Sequence, residues 1–377
     1  MMKATIIAVS IPLFLTAGAN ALSITTFNIL APVHRSMPNQ PDPDLNQRES
    51  EREDWWRPRA EGIAQYIAEK FVSSDVVLLQ EWWFDESFTT VFDAAIGDIF
   101  ERVAERRPGS VVGQDRDDRM CCLVRKNGLL ELVKSDKVLT GPQRIAQIIQ
   151  LQERNNGDGG RHVFIANSHL SFPGNKDPAI NNQRQVNEAK IILDALNRAR
   201  NEWDTSISES CLEVVCGDFN SNSCSPAATL VEDHYFVNCV SATANQLLTN
   251  VGGPVNIGTT HCDHLGNRVS VDHIFLRLAK RRDTKNGEGQ ARAKQERCSA
   301  LALGYLDTQG TRILAVQRDK IVIEGSAVLS DHRPVTAKIA WPKLKKITKE
   351  RLPDLYVNVT MPLDPLEPVW GIVQDEK

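Results

Sequence analysis

The chain reads as an α/β protein on three observations. Strand-forming segments outnumber helical ones along its 377 residues. One of them, Asp75–Gln80 (DVVLLQ), is apolar without a break between charged flanks, the mark of a strand buried on both faces. The best helix, Ala179–Arg200, is long and amphipathic, with Val186, Ala189, Ile192, Leu193 and Leu196 on one face, and it falls between strands. In chain order, Leu22–Ile29 (LSITTFNI) alternates and is β-branched, which predicts a strand. Trp56–Phe71 places Ile63, Tyr66 and Ile67 at helical spacing after a proline-rich polar stretch. Further strands are expected at Met120–Arg125, Leu129–Lys134, Ile145–Gln152, His162–Asn167, Leu212–Cys216, Val269–Arg277, Ile313–Ile323 and Pro334–Ile339.

Hydrophobic residues make up 41% and charged residues 24%, so the chain can bury a large core and is far from a disordered composition. The net charge of −4 supplies no global positive field of the kind that coats DNA. An enzyme needs only local charge in a cleft, so this excludes little else. Arg277–Arg297 is the basic exception, with eight Lys/Arg against three Asp/Glu, and reads as a surface loop or as a nucleic-acid contact.

Lys3 precedes an apolar run to Ala17, and Ala19-Asn20-Ala21 has the small-x-small form of a cleavage site. Residues 1–21 are therefore expected to be a cleaved signal peptide directing the chain to the secretory pathway; the alternative is a buried N-terminal element in a cytoplasmic protein. The run is too short for a stable membrane span. Residues 22–341 form one expected domain, and the proline- and charge-rich residues 342–377 a C-terminal extension. The eight cysteines follow neither a zinc spacing nor a dense disulfide framework; buried free thiols are expected, with one or two disulfides as the alternative if the chain is secreted.

Chemistry concentrates where strands end. Six segments stop an apolar run at an acid, amide or imidazole: Phe27-Asn28, Leu79-Gln80-Glu81, Asn167-Ser168-His169, Cys216-Gly217-Asp218-Phe219-Asn220, Val271-Asp272-His273 and Leu329-Ser330-Asp331-His332. A single acid after a strand is ordinarily a solvated edge or a helix cap. Six polar strand ends mixing these types are a different matter, because strand ends are where distant segments converge. Carboxylates and amides suit Mg²⁺, and imidazoles suit proton transfer or charge stabilisation, which is the equipment for cleaving a phosphodiester.

The ordered series FNIL, LQE, NSHL, GDFN, VDHIF and SDHRP resembles the endonuclease/exonuclease/phosphatase superfamily, from about Ser23 to Ala340. The resemblance implies a four-layer α-β-β-α sandwich of two mainly antiparallel sheets. It implies Glu81 as the principal metal ligand with Asn28 near metal and phosphate, and Asp331 completing the metal shell. Asp218 and Asn220 would activate water and position phosphate. His332 would be the catalytic histidine oriented by Asp272, and His169 would stabilise the transition state or assist the leaving group. The expected cofactor is Mg²⁺, with Mn²⁺ as a substitute. FNILAP and NSHLSF look most like the nocturnin and carbon-catabolite-repressor deadenylase branch; HLSFPGNKDPAINNQR and TTHCDHLGNRVSVDHIF look closer to a plant and algal group, in which Arg184 would contact phosphate or lie on a solvated helix face. That group carries a calcium-binding helical insertion between its last two motifs. Here the interval holds the basic stretch ending at Arg297, so calcium regulation does not follow from the resemblance. Leu30 and His169 stand where abasic-site endonucleases carry an acid and a tyrosine, which argues against that class. The expected substrate is a nucleic acid or nucleotide, with a lipid or inositol phosphate as the alternative, and no partner protein is implied.

Overall fold

The computed structural model describes residues 21–36, 47–106, 117–141, 144–154, 161–174, 177–203, 210–239, 260–262, 268–280, 312–318, 323–324 and 327–340. All belong to one compact unit, Met1–Lys343. The expected signal segment up to Asn20, the C-terminal extension and most of the basic stretch, 281–297, lie outside the described residues.

The strands are β1 (Ala21–Asn28), β2 (Val76–Trp83), β3 (Phe100–Glu105), β4 (Asp118–Arg125), β5 (Leu130–Gly141), β6 (Arg144–Glu153), β7 (His162–His169), β8 (Ser210–Asp218), β9 (Val237–Asn238), β10 (His261–Cys262), β11 (Arg268–Val269), β12 (Asp272–Lys280), β13 (Arg312–Arg318), β14 (Ile323–Glu324), β15 (Ala327–Val328) and β16 (Val335–Ala340). The helices are α1 (Glu53–Lys70), α2 (Glu86–Ile96), α3 (Pro178–Glu202) and α4 (Pro226–Asp233). One six-stranded sheet runs β13-β16-β1-β2-β4-β3 and the other β5-β6-β7-β8-β12-β9. In each, only the central pair is parallel, β1 with β2 and β7 with β8; every other pairing is antiparallel.

The layers follow from side-chain alternation. Val76 and Leu78 face Ile149, Ile165 and Val214 in a core between the sheets. Their neighbours Val77 and Leu79 point the other way, to Ile63 and Ile67 of α1 and Phe88 of α2. On the opposite face Phe164, Ala166 and Val215 pack under Ile192 and Leu196 of α3 and Val231 of α4. Being buried on both faces is why DVVLLQ carries no alternation. The fold is the expected four-layer sandwich.

Some boundaries differ from expectation. β5 continues past Lys134 to Gly141, because its exposed alternating half pairs along the whole of β6. β12 opens at Asp272 rather than Val269, which belongs to the short β10–β11 ribbon. The segment expected as one strand from Ile313 to Ile323 ends its first ladder at Arg318. β3, α2 and α4 were not expected from periodicity. α2 is short, and its start is set by Asp85, whose side chain accepts from Phe88 N. Among the described residues six cysteines are free and all but Cys224 are buried.

Candidate active site

The central parallel pairs carry the polar strand ends to one rim. The β1–β2 register puts Asn28 opposite Gln80, one residue before Glu81. The β7–β8 register puts His169 opposite Asp218, and the β8–β12 register puts Asp272 opposite the same Asp218. The two sheets are tied just beneath: the Gln80 amide donates to Asn167 Oδ1 at 2.7 Å, and Asn167 Nδ2 donates to the carbonyls of Leu79 and Cys121. Gln80 and Asn167 thus brace the two halves of the site to each other.

Local backbone geometry aims the ligands. Glu81 sits in a β-bulge between Leu79 and Trp82, at φ 61°. Leu30 at φ 52° and Asn220 at φ 49° also adopt left-handed backbone. Such conformations cost about 1 kcal/mol or more each in non-glycine residues and cluster where a fold must hold a functional shape. Gly217 has φ 127°, and a Cβ there would lie 1.9 Å from Ser168 O, so only glycine lets β7 and β8 close beside Asp218.

Asn28 links the two acids, donating to Glu81 Oε1 at 3.1 Å and Asp218 Oδ2 at 3.0 Å. Its Oδ1 accepts from Leu30 N at 3.0 Å, while Glu81 Oε2 accepts from Ala31 N at 3.0 Å. Asp218 Oδ1 accepts from Asn220 N at 2.8 Å, leaving Oδ2 between two imidazoles, 3.6 Å from Nε2 of His169 and 3.6 Å from Nε2 of His332. His169 Nδ1 lies 4.0 Å from Glu81 Oε1. His332 Nδ1 lies 2.9 Å from Asp272 Oδ2, and Asp272 is fully buried. Burial raises the Asp218 carboxyl to about 6, and the Asp272 charge pushes the same way; His332 and the bonds from Asn220 and Asn28 oppose them. Burial works against a charged His332, but Asp272, Asp218 and Asp331 outweigh it and hold the ring well above 6.5.

Asn28, Glu81, His169, Asp218, Asp272 and His332 therefore form one connected cluster. Asn220 holds Asp218 through its backbone N–H, and its own amide donates to Leu170 O at 2.9 Å. Asp331 has its described contacts with His261, at 3.3 Å, and His332, at 3.9 Å. Arg184 stands apart. It is exposed on α3, donates to Phe172 O at 2.6 Å, and lines a surface groove with Thr140, Ile180 and Gln183 that shares no residue with the cluster. The buried side of the same helix turn supports the site instead: Gln185 Nε2 donates to Ser171 O, Phe219 O and Asn220 O. Arg277, the first residue of the basic stretch, is also internal, holding Glu213 and the His234 carbonyl and stacking on Phe236.

Sequence reasoning did not single out Glu49 and Arg59. Both are buried and ion-paired, and Arg59 also donates to the carbonyls of Ile29, Leu30 and Leu329. One guanidinium thereby joins the loop after Asn28 to the residue preceding Ser330-Asp331-His332. Its only sequence trace is an arginine at a helix position otherwise apolar by spacing, Arg59 between Trp56 and Ile63.

The donor set fits a hard divalent cation: Glu81 and Asp218 bring carboxylate oxygens together across the Asn28 amide, at a place where burial makes uncompensated carboxylate charge costly. Buried thiols contribute no competing nucleophile, since burial pushes Cys121, Cys122, Cys216 and Cys239 far up.

The Endonuclease/Exonuclease/phosphatase family model matches residues 25–332, most of the chain. The chain belongs to that family. Members of that family hydrolyse phosphoester bonds. It is 23% identical over 265 residues to an Arabidopsis thaliana protein described as an uncharacterized calcium-binding protein, a match covering 68% of this chain and 50% of the relative, so the chain spans about half that relative's length. Among solved structures, an endonuclease/exonuclease/phosphatase from Bacteroides vulgatus superposes with a TM-score of 0.53 at 16% identity, over 85% of this chain and 98% of that one. The human nocturnin catalytic domain with bound sulfate superposes with a TM-score of 0.53 at 15% identity, over 85% and 93%. At these identities the likeness is one of fold. Among the described residues no helix is long and apolar enough to cross a membrane.

Proposed function

We propose that this chain is a Mg²⁺-dependent phosphodiesterase acting on nucleic acid or a nucleotide. The observation that carries the reading is Asp218 Oδ2, poised between two imidazoles and bonded to the amide that also holds Glu81. Glu81 and Asp218, bridged by the Asn28 amide, would hold the cation, which when bound supplies polarisation of the phosphoryl group and neutralises its developing charge. Mn²⁺ would serve in its place. Asp218, raised toward neutrality by burial, accepts the proton of the attacking water. His332 is held in its charged form by Asp272, so it faces the phosphoryl oxygens as a cationic donor. His169, 3.6 Å from the same carboxylate, assists the departing oxygen. Asn220 fixes Asp218, and Arg184 offers a cation outside the cluster for a longer substrate. The nucleic-acid preference rests on FNILAP and NSHLSF, the segments most like the nocturnin branch.

Purified protein with Mg²⁺ should be assayed in parallel on single-stranded RNA, duplex DNA, NADP⁺, sphingomyelin and inositol phosphates. Hydrolysis of a nucleic acid or nucleotide, abolished by EDTA and restored by Mg²⁺ or Mn²⁺, is expected. Cleavage confined to the lipid or inositol substrates would replace the substrate assignment, and robust turnover in EDTA would end the metal mechanism.

A further inference from the structure

His261 takes no part in the chemistry above, yet two backbone ties seat it against the site. It pairs with His332 across an isolated antiparallel bridge, and the neighbouring Thr260 carbonyl accepts from Arg333 N at 2.6 Å. The two imidazoles lie nearly face to face, with centroids 4.4 Å apart and planes 32° apart. His261 Nε2 is 3.3 Å from Asp331 Oδ2, and His332 Nε2 is 3.9 Å from Asp331 Oδ1. Donor atoms of all three residues fall within 4.8 Å of one another. Asp331 Oδ1 is buried and has no hydrogen-bond partner among the described residues.

The chemistry of this trio differs from that of the Glu81 site. The acids at that site, Glu81 and Asp218, offer carboxylate oxygen alone, the preference of Mg²⁺. Two imidazole nitrogens and one carboxylate are the donors of open three-ligand zinc sites. Nitrogen donors also favour later first-row ions strongly over Mg²⁺. His332 is prepared for this role in a second way. Its Nδ1 is committed to Asp272 at 2.9 Å, and a carboxylate on one ring nitrogen is the usual support for a metal on the other. Donors around a tetrahedral ion with bonds of about 2.0–2.1 Å sit roughly 3.3 Å apart. The Asp331–His261 separation already matches, and the remaining donor pairs, all within 4.8 Å, need to close by at most about 1.5 Å.

We propose that His261, Asp331 and His332 form a transition-metal site of the Zn²⁺ class, separate from the Mg²⁺ site, whose occupation inhibits the enzyme. The inhibitory part rests on the phosphodiesterase reading; the metal site does not. With Nδ1 committed to Asp272, a Zn²⁺ ion on His332 Nε2 takes the place of any hydrogen there, which leaves to solvent, and so removes this donor from the reaction. Turnover in Mg²⁺ would then depend on trace zinc, with His261 setting the sensitivity.

The test uses the full chain in excess Mg²⁺. Zn²⁺ is titrated by calorimetry and Co²⁺ by its visible absorption, with Mg²⁺-supported turnover measured alongside. One Zn²⁺ per chain is expected, undisturbed by Mg²⁺, with tetrahedral-type Co²⁺ bands. His261→Phe preserves the ring stack but should weaken Zn²⁺ binding by at least about tenfold. His261→Gln, a second variant should the first misfold, should do the same. Both should turn over Mg²⁺-loaded substrate normally and resist zinc inhibition. Zinc binding equally tight in the folded variants, or competitive displacement of zinc by Mg²⁺, would overturn the site. Zinc bound through His261 without loss of turnover would overturn the inhibitory role. If no substrate is cleaved at all, the binding measurements still decide the metal site, and the phosphodiesterase reading fails by itself.

Discussion

Replacing Asp272 with asparagine removes one negative charge from the catalytic cluster while keeping the side chain's shape. In the intact protein Asp272 Oδ2 lies 2.9 Å from His332 Nδ1, and neither residue is open to bulk water. The charge centres are then about 4 Å apart, and at an effective dielectric of about 20 their attraction is worth roughly 4 kcal/mol. If the imidazolium form is needed in the transition state, losing that support costs about 10³-fold in kcat, within the 10²–10⁴ range of general acid–base groups. Stability should fall by less than that, because His332 can release its proton once its partner is neutral. Asp272 Oδ1 has no hydrogen-bond partner among the described residues, so the asparagine also relieves part of the cost of burying a carboxylate. His332→Ala should lose as much turnover, and the double variant little more, because paired groups act as one unit. The assay is steady-state hydrolysis of the best substrate in saturating Mg²⁺ across pH, with thermal unfolding as the control. A stably folded Asp272→Asn enzyme with near-normal kcat would show that Asp272 only caps a strand, and would remove His332 from its proposed role.

Three further outcomes follow from the geometry and a fourth from the N-terminal sequence. Glu81→Gln should weaken Mg²⁺ binding by roughly 10–100-fold in calorimetry without unfolding the chain, and unchanged affinity would move the cation elsewhere. Arg59→Lys keeps a positive charge beside Glu49 but gives up the three carbonyl ties, so turnover should drop by about 10² as the loops on either side of the cluster shift; wild-type turnover would make the clamp purely structural. The cation-free protein should lose stability, relative to Asp218→Asn, as pH rises from about 4 to 6: the native Asp218, raised from 3.8 to about 6, keeps a proton that the unfolded chain has released. His332 acts in the higher window; its raised value gives stability fully present below 6.5 and lost as pH climbs through the folded value, and saturating Mg²⁺ should flatten the Asp218 slope. If residues 1–21 are a signal, mass spectrometry of protein from its native cells should find Leu22 at the N-terminus, and an intact peptide spanning Asn20 to Ser23 would contradict export.

Local patterns in the sequence were enough to read most of the sandwich. DVVLLQ had to be central because nothing polar interrupts it, and Ala179–Arg200 had to lie on a surface because its apolar residues occupy one stripe. The cluster was legible for a related reason: Asn28, Glu81, His169, Asp218, Asp272 and His332 each end an apolar run, and strand ends meet at a rim. Other features depend on register and on contacts between distant segments. Asp218 sits between His169 and Asp272 because β8 pairs with β7 on one side and β12 on the other, and no spacing along the chain contains that choice. Glu81 points into the site through a bulge, and Gln80 and Asn167, which look like more polar strand ends, turn inward to brace the sheets. Arg59 and His261 were invisible as site-builders because each acts through backbone groups or rings far away in sequence: one guanidinium spans from Ile29 to Leu329, and one ring is seated by a bridge to His332. Apolar periodicity records which face of an element is buried; it holds no record of which polar groups a folded chain will press together.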